Sequence, residues 1–174
     1  MKFDFSKIAE LLLDANVMID FRNSDNLRVA ELISKEISCS IVEQTRHKVT
    51  GLTKELCQQI GIEVIEPEYA DLVTAEKIRG NIKQLAEDDA LTLAVALRKG
   101  HTVVSNDKRV VETGRANGID VQREFFILVF LVRKGVLSSE NCIKIATEIV
   151  NSNPWMSNRV LTELVSQIQN STQI

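Results

Sequence analysis

The chain has 174 residues, 44% of them hydrophobic, with a formal net charge of -3 and a pI near 5.5. A chain of this length and apolar content can bury one core without disulfides or a structural metal, so we expect one compact domain. The acidic balance argues against a protein that binds nucleic acid through a basic excess over its whole surface, although it is compatible with a locally basic groove.

Short apolar or β-branched runs in the first two thirds of the chain predict strands, the last of them weakly. The segments between them have helix length, and several carry apolar side chains at helical spacing, as at 27–37, 49–60 and 90–97. Such alternation predicts an α/β protein with right-handed crossovers and a mainly parallel sheet covered on both faces. The predicted strands are 11–13, 38–42, 62–65, 102–104 and 119–121.

Past residue 121 the pattern predicts helices only, at about 122–134, 139–150 and 157–169. Gly135 ends the first of these, and Asn153 with Pro154 separates the last two. We expect them to pack on the sheet, because the chain has no linker that would set off a second domain. Trp155 is expected to be a packing anchor, with a partner surface as the alternative.

The cysteines and the apolar runs indicate the compartment. Cys39, Cys57 and Cys142 are odd in number and lack a CxxC spacing, which is typical of reduced thiols in the cytoplasm and unlike a zinc site. The longest apolar run, 125–132, is shorter than the roughly 18 residues of a membrane span. Residues 1–10 form a lead without the apolar core of a signal peptide. We therefore expect a cytoplasmic protein that does not enter a membrane.

Acidic side chains follow three of the predicted strands. Asp14 follows the first strand, Glu43 the second and Asp107 the fourth, while the acids at 87–89 open the apolar helix that leads into the fourth. Ligands bind beyond the C-terminal ends of parallel strands. Converging carboxylates repel one another and are costly unless a cation neutralises them. Oxygen ligands without His or Cys favour Mg²⁺ or Mn²⁺, which can activate a water for phosphodiester hydrolysis.

Each acid taken alone also has a structural explanation. Asp88 and Asp89 suit the positive end of a helix dipole, Asn106 or Asp107 could cap the helix that follows, and Glu43 could be an ordinary first-turn acid. The arrival of all these acids at one sheet edge favours the metal site.

Cationic side chains lie close to two of the acids in sequence. Arg46 lies on the helical face of Glu43, and Lys108 and Arg109 follow Asp107. They predict contacts to RNA backbone phosphates beside the metal. The alternative is that they are ordinary solvated charges.

Four stretches, "LLLDANVMID", "IVEQTRHKV", "EDDALTLAVALRKG" and "TVVSNDKRV", resemble in order and spacing the signature stretches of PIN-domain ribonucleases, which include the VapC-type toxins. The helical tail is similar to the C-terminal extension of some prokaryotic PIN proteins. The resemblance implies a PIN-like three-layer fold in which helices flank a mainly parallel five-stranded sheet. It implies a catalytic core at 1–121, with the C-terminal helices at 122–174 packed on the same domain.

The resemblance also implies an endoribonuclease that depends on Mg²⁺ or Mn²⁺. Its catalytic acids would be Asp14, Glu43, Asp89 and Asp107, and all of these except Glu43 would bind the metal. The supporting polar residues would be Asn16, Ser105, Asn106 and Asp88, the last as a secondary or surface acid.

The resemblance leaves more than one biological role open. It implies an RNA substrate, a homodimer and, for a toxin, an antitoxin partner. The N-terminal lead and a chain longer than a minimal toxin leave room for a role in RNA processing. The alternative from another class is a non-catalytic PIN-like module that binds RNA or a protein. A phosphatase of the haloacid-dehalogenase type fits less well, because its paired acids should follow the serine of "VVSND" and here Asp88 and Asp89 precede it.

Overall fold

The computed structural model describes residue 8, residues 10–80 and residues 85–171, with side chains described as far as residue 168. The predicted N-terminal lead, 1–10, lies almost entirely outside the described residues. Within the described part of the chain, no helix has the length and apolar character needed to cross a membrane.

A five-stranded, all-parallel sheet forms the middle of the molecule, as predicted. Its strands are β1 Leu11–Leu13, β2 Cys39–Val42, β3 Ile62–Ile65, β4 Thr102–Val104 and β5 Val121–Gln122. They lie in the order β3-β2-β1-β4-β5, so β1 is central, with β2 on one side and β4 on the other. Residues that follow β1 and β4 are therefore neighbours at the C-terminal edge of the sheet.

Helices connect the strands and continue past β5, ten of them in the described residues. Those between β1 and β5 are α1 Ala15–Asn23, α2 Arg28–Glu36, α3 Glu43–His47, α4 Lys54–Gln59, α5 Tyr69–Gly80, α6 Glu87–Lys99 and α7 Lys108–Ala116. Those after β5 are α8 Phe125–Arg133, α9 Ser139–Ser152 and α10 Asn158–Ser171.

The sheet divides the core into two apolar clusters, because successive side chains of a strand point to opposite faces. Leu11 and Leu13 face a cluster that contains side chains of α1, α2 and the three C-terminal helices. Leu12 faces the other, built mainly by α5, α6 and α7. Burial on both faces is why β1 is a run of leucines rather than an alternating pattern. The C-terminal helices pack into the same core as the sheet, while the functional division at residue 121 stays a prediction.

The predicted helix at 49–60 is wrong in its first half. Residues 48–53 form a turn in which Gly51 has a φ of 70°. A side chain here would be strained, and its Cβ would lie 2.7 Å from the guanidinium of Arg22. The helix begins at Lys54, where the Thr53 hydroxyl accepts a hydrogen bond from the Leu56 N–H.

Two further expectations need correction. The fifth strand is shifted from 119–121 to Val121–Gln122, because Gly118 turns with a φ of 76° and the Ile119 N–H still bonds to α7. Trp155 is not a packing anchor, since 94% of it is exposed at the corner between α9 and α10.

Candidate active site at the C-terminal edge of the sheet

Asp14 lies directly after the central strand and is buried, with 1% of its surface exposed. One carboxylate oxygen accepts a 2.7 Å hydrogen bond from the Ala15 N–H as the N-cap of α1. The other accepts a 2.6 Å bond from the Ser105 hydroxyl. Burial raises the pKa of Asp14, the two hydrogen bonds oppose this, and the charges of Asp88 and Asp107 raise it further. Asp14 is therefore a fixed carboxylate in an environment that already contains negative charge.

Asp88 and Asp89 lie in the first turn of α6. Burial, followed by the charges of Asp14 and Asp88, raises the pKa of Asp89 to about 7, against a lowering influence from Lys48. Asp88 forms an ion pair with Lys48, and its side chain is only 12% exposed. Asp88 is not a surface acid, because its side chain is largely buried and its charge raises the pKa of both Asp14 and Asp89, while its role as a secondary acid stays a prediction.

Asp107 caps α7, and one of its oxygens accepts hydrogen bonds from the N–H groups of Arg109 at 2.6 Å and Val110 at 3.3 Å. Its own N–H donates to the Ser105 oxygen at 3.1 Å. The buried Ser105 hydroxyl thus connects Asp107 to Asp14. The structural explanation of Asp107 as a helix cap is correct, and it is compatible with a metal-binding role because the second oxygen accepts neither bond.

Glu43 begins α3 immediately after β2 and is bound by cations of its own. Its oxygens accept two hydrogen bonds from the Arg46 guanidinium, at 2.7 and 2.9 Å, and the Lys54 ammonium lies 3.3 Å away. The Arg46 interaction is the main cause that lowers the pKa of Glu43 to about 2. Arg46 is itself buried and donates to the Leu52 carbonyl. Arg46 therefore binds Glu43 instead of facing solvent for the predicted contact to an RNA phosphate.

The remaining predicted residues surround this edge. Asn16 is exposed in the first turn of α1, and it lines one cavity together with Asn106 and Asp107. Lys108 and Arg109 are exposed at the start of α7.

The carboxylate oxygens of these acids are the ligand type that a hard divalent cation prefers, although the acids do not form a closed cage. Asp14, Asp88, Asp89 and Asp107 interact through their charges, which add to the effect of burial in raising the pKa of Asp89, and a divalent cation would offset this repulsion. Among the described residues, no three His, Cys, Asp or Glu side chains lie close enough to hold a metal. Mg²⁺ commonly binds one or two carboxylates and completes its shell with water and substrate phosphate, so a cage is unnecessary.

Two buried acids beside this site were missed by the sequence reasoning. Asp20 on α1 is 5% exposed and Glu124, just before α8, is fully buried. The Asn106 amide donates to both, and the Asn153 amide donates to Asp20 at 2.9 Å. Burial, followed by the charge of Asp20, raises the pKa of Glu124 well above its usual range. The one signal in the sequence is that Glu124 directly precedes the longest apolar run.

Comparison with known families agrees with the fold. The family model DUF3368, described as a PIN domain, matches residues 10–170, which is nearly the whole chain. No curated protein matches the sequence. The PIN domain is in general a nuclease fold, which assigns the chain coarsely to the hydrolases that act on nucleic acid. The chain belongs to the PIN-domain family.

Proposed function

We propose that this protein is a metal-dependent endoribonuclease that hydrolyses RNA phosphodiester bonds at the C-terminal edge of its sheet. The observation that carries the proposal is the meeting of acids at this edge, where burial, followed by the charges of Asp14, Asp88 and Asp107, raises the pKa of Asp89 to about 7. A group of carboxylates that destabilise one another's charge is expected where a cation is bound. Perturbed pKa values of this origin are concentrated at functional sites.

Asp14, Asp89 and Asp107 would hold Mg²⁺ or Mn²⁺, since hard oxygen donors prefer these ions. The bound ion would lower the pKa of a water molecule and stabilise negative charge on the phosphoryl oxygens. The protein's own contribution is to keep the ligands fixed. Ser105 orients Asp14 and is linked to Asp107, so two ligands share one positioning hydroxyl.

The other site residues have supporting roles in this proposal. Glu43, ionised and held by Arg46, is the remaining catalytic acid. Asn16 and Asn106 are polar groups at the mouth of the site. The exposed Lys108 and Arg109 are suited to contact the RNA backbone where the RNA enters the active site. Residues 1–121 would form the catalytic core, with 122–174 as its helical extension.

The biological setting follows the family resemblance and is part of the proposal. A toxin would act in the cytoplasm as a homodimer and would be held inactive by an antitoxin, whereas a processing enzyme would need no such partner. The neighbouring reading frame distinguishes the two, because a small DNA-binding partner encoded beside this chain favours the toxin. The competing function, a non-catalytic module that binds RNA or protein, predicts no cleavage under any metal condition.

The decisive experiment compares cleavage of a structured RNA by the wild-type chain and by Asp14→Asn, with Mn²⁺, with Mg²⁺ and with a chelator. Asparagine keeps one oxygen that can accept from the Ala15 N–H, and its amide N–H can donate to the Ser105 hydroxyl, so the variant should fold. A matched control is Asp25→Asn, on an exposed turn where asparagine tolerates the positive φ. We expect cleavage that requires metal, is lost in Asp14→Asn and persists in Asp25→Asn. Equal cleavage by all three proteins would assign the activity to a contaminant and contradict the proposal.

A further inference from the structure

A cavity of about 910 Å³ opens from the candidate active site toward the C-terminal helices. Asn16, Asn106 and Asp107 belong to its lining, so the cavity reaches one of the proposed metal ligands, Asp107. Trp155 and Met156, at the corner between α9 and α10, belong to the same lining. An extended ligand held in this cavity would therefore touch both the reacting edge of the sheet and the helical corner.

Trp155 is 94% exposed in a position that the surrounding structure fixes. The backbone N–H of Trp155 donates to the Asn153 side-chain oxygen at 2.9 Å, and the side-chain amide nitrogen of Asn153 donates to the buried Asp20 at 2.9 Å. The corner is thus tied to α1 beside the active site. A large aromatic side chain held in water at the mouth of a cavity is the arrangement expected of a binding platform, because aromatic anchors are enriched where a partner will cover them.

The cavity is lined by two arginines and by three carboxylates, those of Asp20, Asp107 and Glu163, so an anionic ligand would be held by the arginines themselves rather than by an overall positive charge. Arg115 and Arg123 both line it, and each guanidinium donates to a backbone carbonyl, of Val121 at 3.2 Å and of Asn106 at 2.5 Å. Within the described residues neither arginine forms an ion pair, so their positive charges are not neutralised by a carboxylate. A guanidinium has five N–H donors, which leaves each arginine with donors for a phosphate.

The carboxylates that line the same cavity are already engaged. Asp20 is buried and accepts from the amides of Asn106 and Asn153. Glu163 accepts from Arg159 at 3.2 Å. Asp107 belongs to the proposed metal site, where a cation would offset its charge. The groups suited to bind the base and the phosphates of a ligand are the exposed indole of Trp155, the exposed Arg115 and the half-buried Arg123.

We propose that this cavity binds single-stranded RNA, with one unpaired base stacked on Trp155 and the backbone phosphates beside Arg115 and Arg123. The inference rests on the proposed ribonuclease function, which it deepens by naming residues outside the acid cluster that would bind the substrate. A duplex keeps its bases stacked on one another, whereas a single strand can place a base against an aromatic ring. The combination of one aromatic platform with nearby cations is typical of single-strand binding grooves.

Trp155 is the sole tryptophan of the chain, so its fluorescence reports on this position alone. The test uses full-length Asp14→Asn protein with a chelator, which prevents cleavage during titration. An oligoadenylate of about ten nucleotides, within the range of single-strand sites, should quench the fluorescence. An abasic oligomer of the same length, which carries the phosphates without the bases, should quench it much less.

Binding of the same oligomer, followed by fluorescence anisotropy of a label on the RNA, tests each contact. Trp155→Ala should weaken binding about tenfold, and Trp155→Phe, which keeps a ring, should weaken it less. Arg115→Gln should weaken binding to both oligomers and make it less dependent on salt. Circular dichroism establishes that the variants are folded, which is expected since both side chains are exposed.

Three results would overturn this inference without contradicting the ribonuclease proposal. The first is RNA binding with unchanged affinity in Trp155→Ala. The second is binding of the oligoadenylate and the abasic oligomer with equal affinity and no change in Trp155 fluorescence. A protein partner that quenches Trp155 when RNA does not would also overturn it, and would identify the cavity as a protein-binding site. Failure of the ribonuclease proposal is a separate observation, the absence of metal-dependent cleavage by the wild-type chain.

Discussion

The buried hydroxyl of Ser105 donates a 2.6 Å hydrogen bond to Asp14 and also accepts one from the N–H of Asp107, at 3.1 Å. Ser105, which follows β4, therefore binds both the carboxylate of Asp14, which follows β1, and the backbone of Asp107. The parallel pairing of β1 with β4, which brings Leu13 opposite Val104, makes this contact possible. The geometry of the proposed ligands thus depends on strand register as much as on the acids.

We expect Ser105→Ala to destabilise the protein by about 1–3 kcal/mol, because it leaves a buried carboxylate oxygen without its donor. The free energy of unfolding in urea measures this. Ser40→Ala is a matched control, since Ser40 is equally buried on the neighbouring strand but makes only a 3.3 Å bond to a neutral carbonyl. The control should lose about 1 kcal/mol or less. Equal losses in the two variants would show that Ser105 gives Asp14 no special support.

Glu124 should make the protein less stable as pH rises. Its pKa is well above the usual 4.5 in the folded state, so between these two pKa values the folded chain retains a proton that the unfolded chain has lost. The free energy of unfolding then falls with increasing pH, by up to about 1.4 kcal/mol per pH unit. Glu124→Gln removes this titration while keeping a neutral group of similar shape. Urea unfolding between pH 5 and 8 should therefore give a shallower decline in Glu124→Gln than in wild type, and parallel curves would contradict the prediction.

The sequence could predict the strands and the acids at their ends, because both follow from local pattern. β1 is buried on both faces and so appears as an uninterrupted apolar run, and Asp14 is the residue that ends it. Asp107 was foreseen both as a cap and as a ligand, since an acid that follows a strand and precedes a helix suits either role.

What the sequence could not predict depends on contacts between distant parts of the chain. Asp20 and Glu124 meet only because Asn106 lies between them in the fold. Arg46 was correctly placed on the face of Glu43, yet nothing local shows that it would be buried there rather than turned toward RNA. The exposure of Trp155 depends on how α9 and α10 meet, which is a property of their packing.

Arg98 and Asp71 form a bidentate ion pair that joins α6 to α5, with N–O distances of 2.7 and 2.8 Å, and Asp71 is 1% exposed. Arg98→Ala should destabilise the protein by about 3–5 kcal/mol, because it leaves Asp71 buried and without its cation. Thermal and urea unfolding measure the loss. Arg79→Ala on the same pair of helices is the control, since its carboxylate partners, Glu76 and Glu87, are exposed and lie 3.7 and 3.8 Å away. We expect it to cost less than about 1 kcal/mol, and a similar cost for both variants would refute the argument from burial.

Gly114 allows α7, the helix that Asp107 caps, to lie close against β5 and α6. A Cβ at this position would overlap the Val121 side chain and lie 3.0 Å from the Leu93 Cδ2 atom. Both neighbours are buried, so neither can move aside freely, and Gly114→Ala should destabilise the protein by about 1–3 kcal/mol. Gly80→Ala is the matched control, because Gly80 is also helical and its Cβ would meet nothing within 4 Å. Alanine there should stabilise the protein slightly, by less than about 0.5 kcal/mol, through its better helix propensity, since Gly80 is the last residue of α5 and not an interior one. Opposite signs for the two substitutions in urea unfolding would support close packing at Gly114, and a gain in stability at both positions would rule it out.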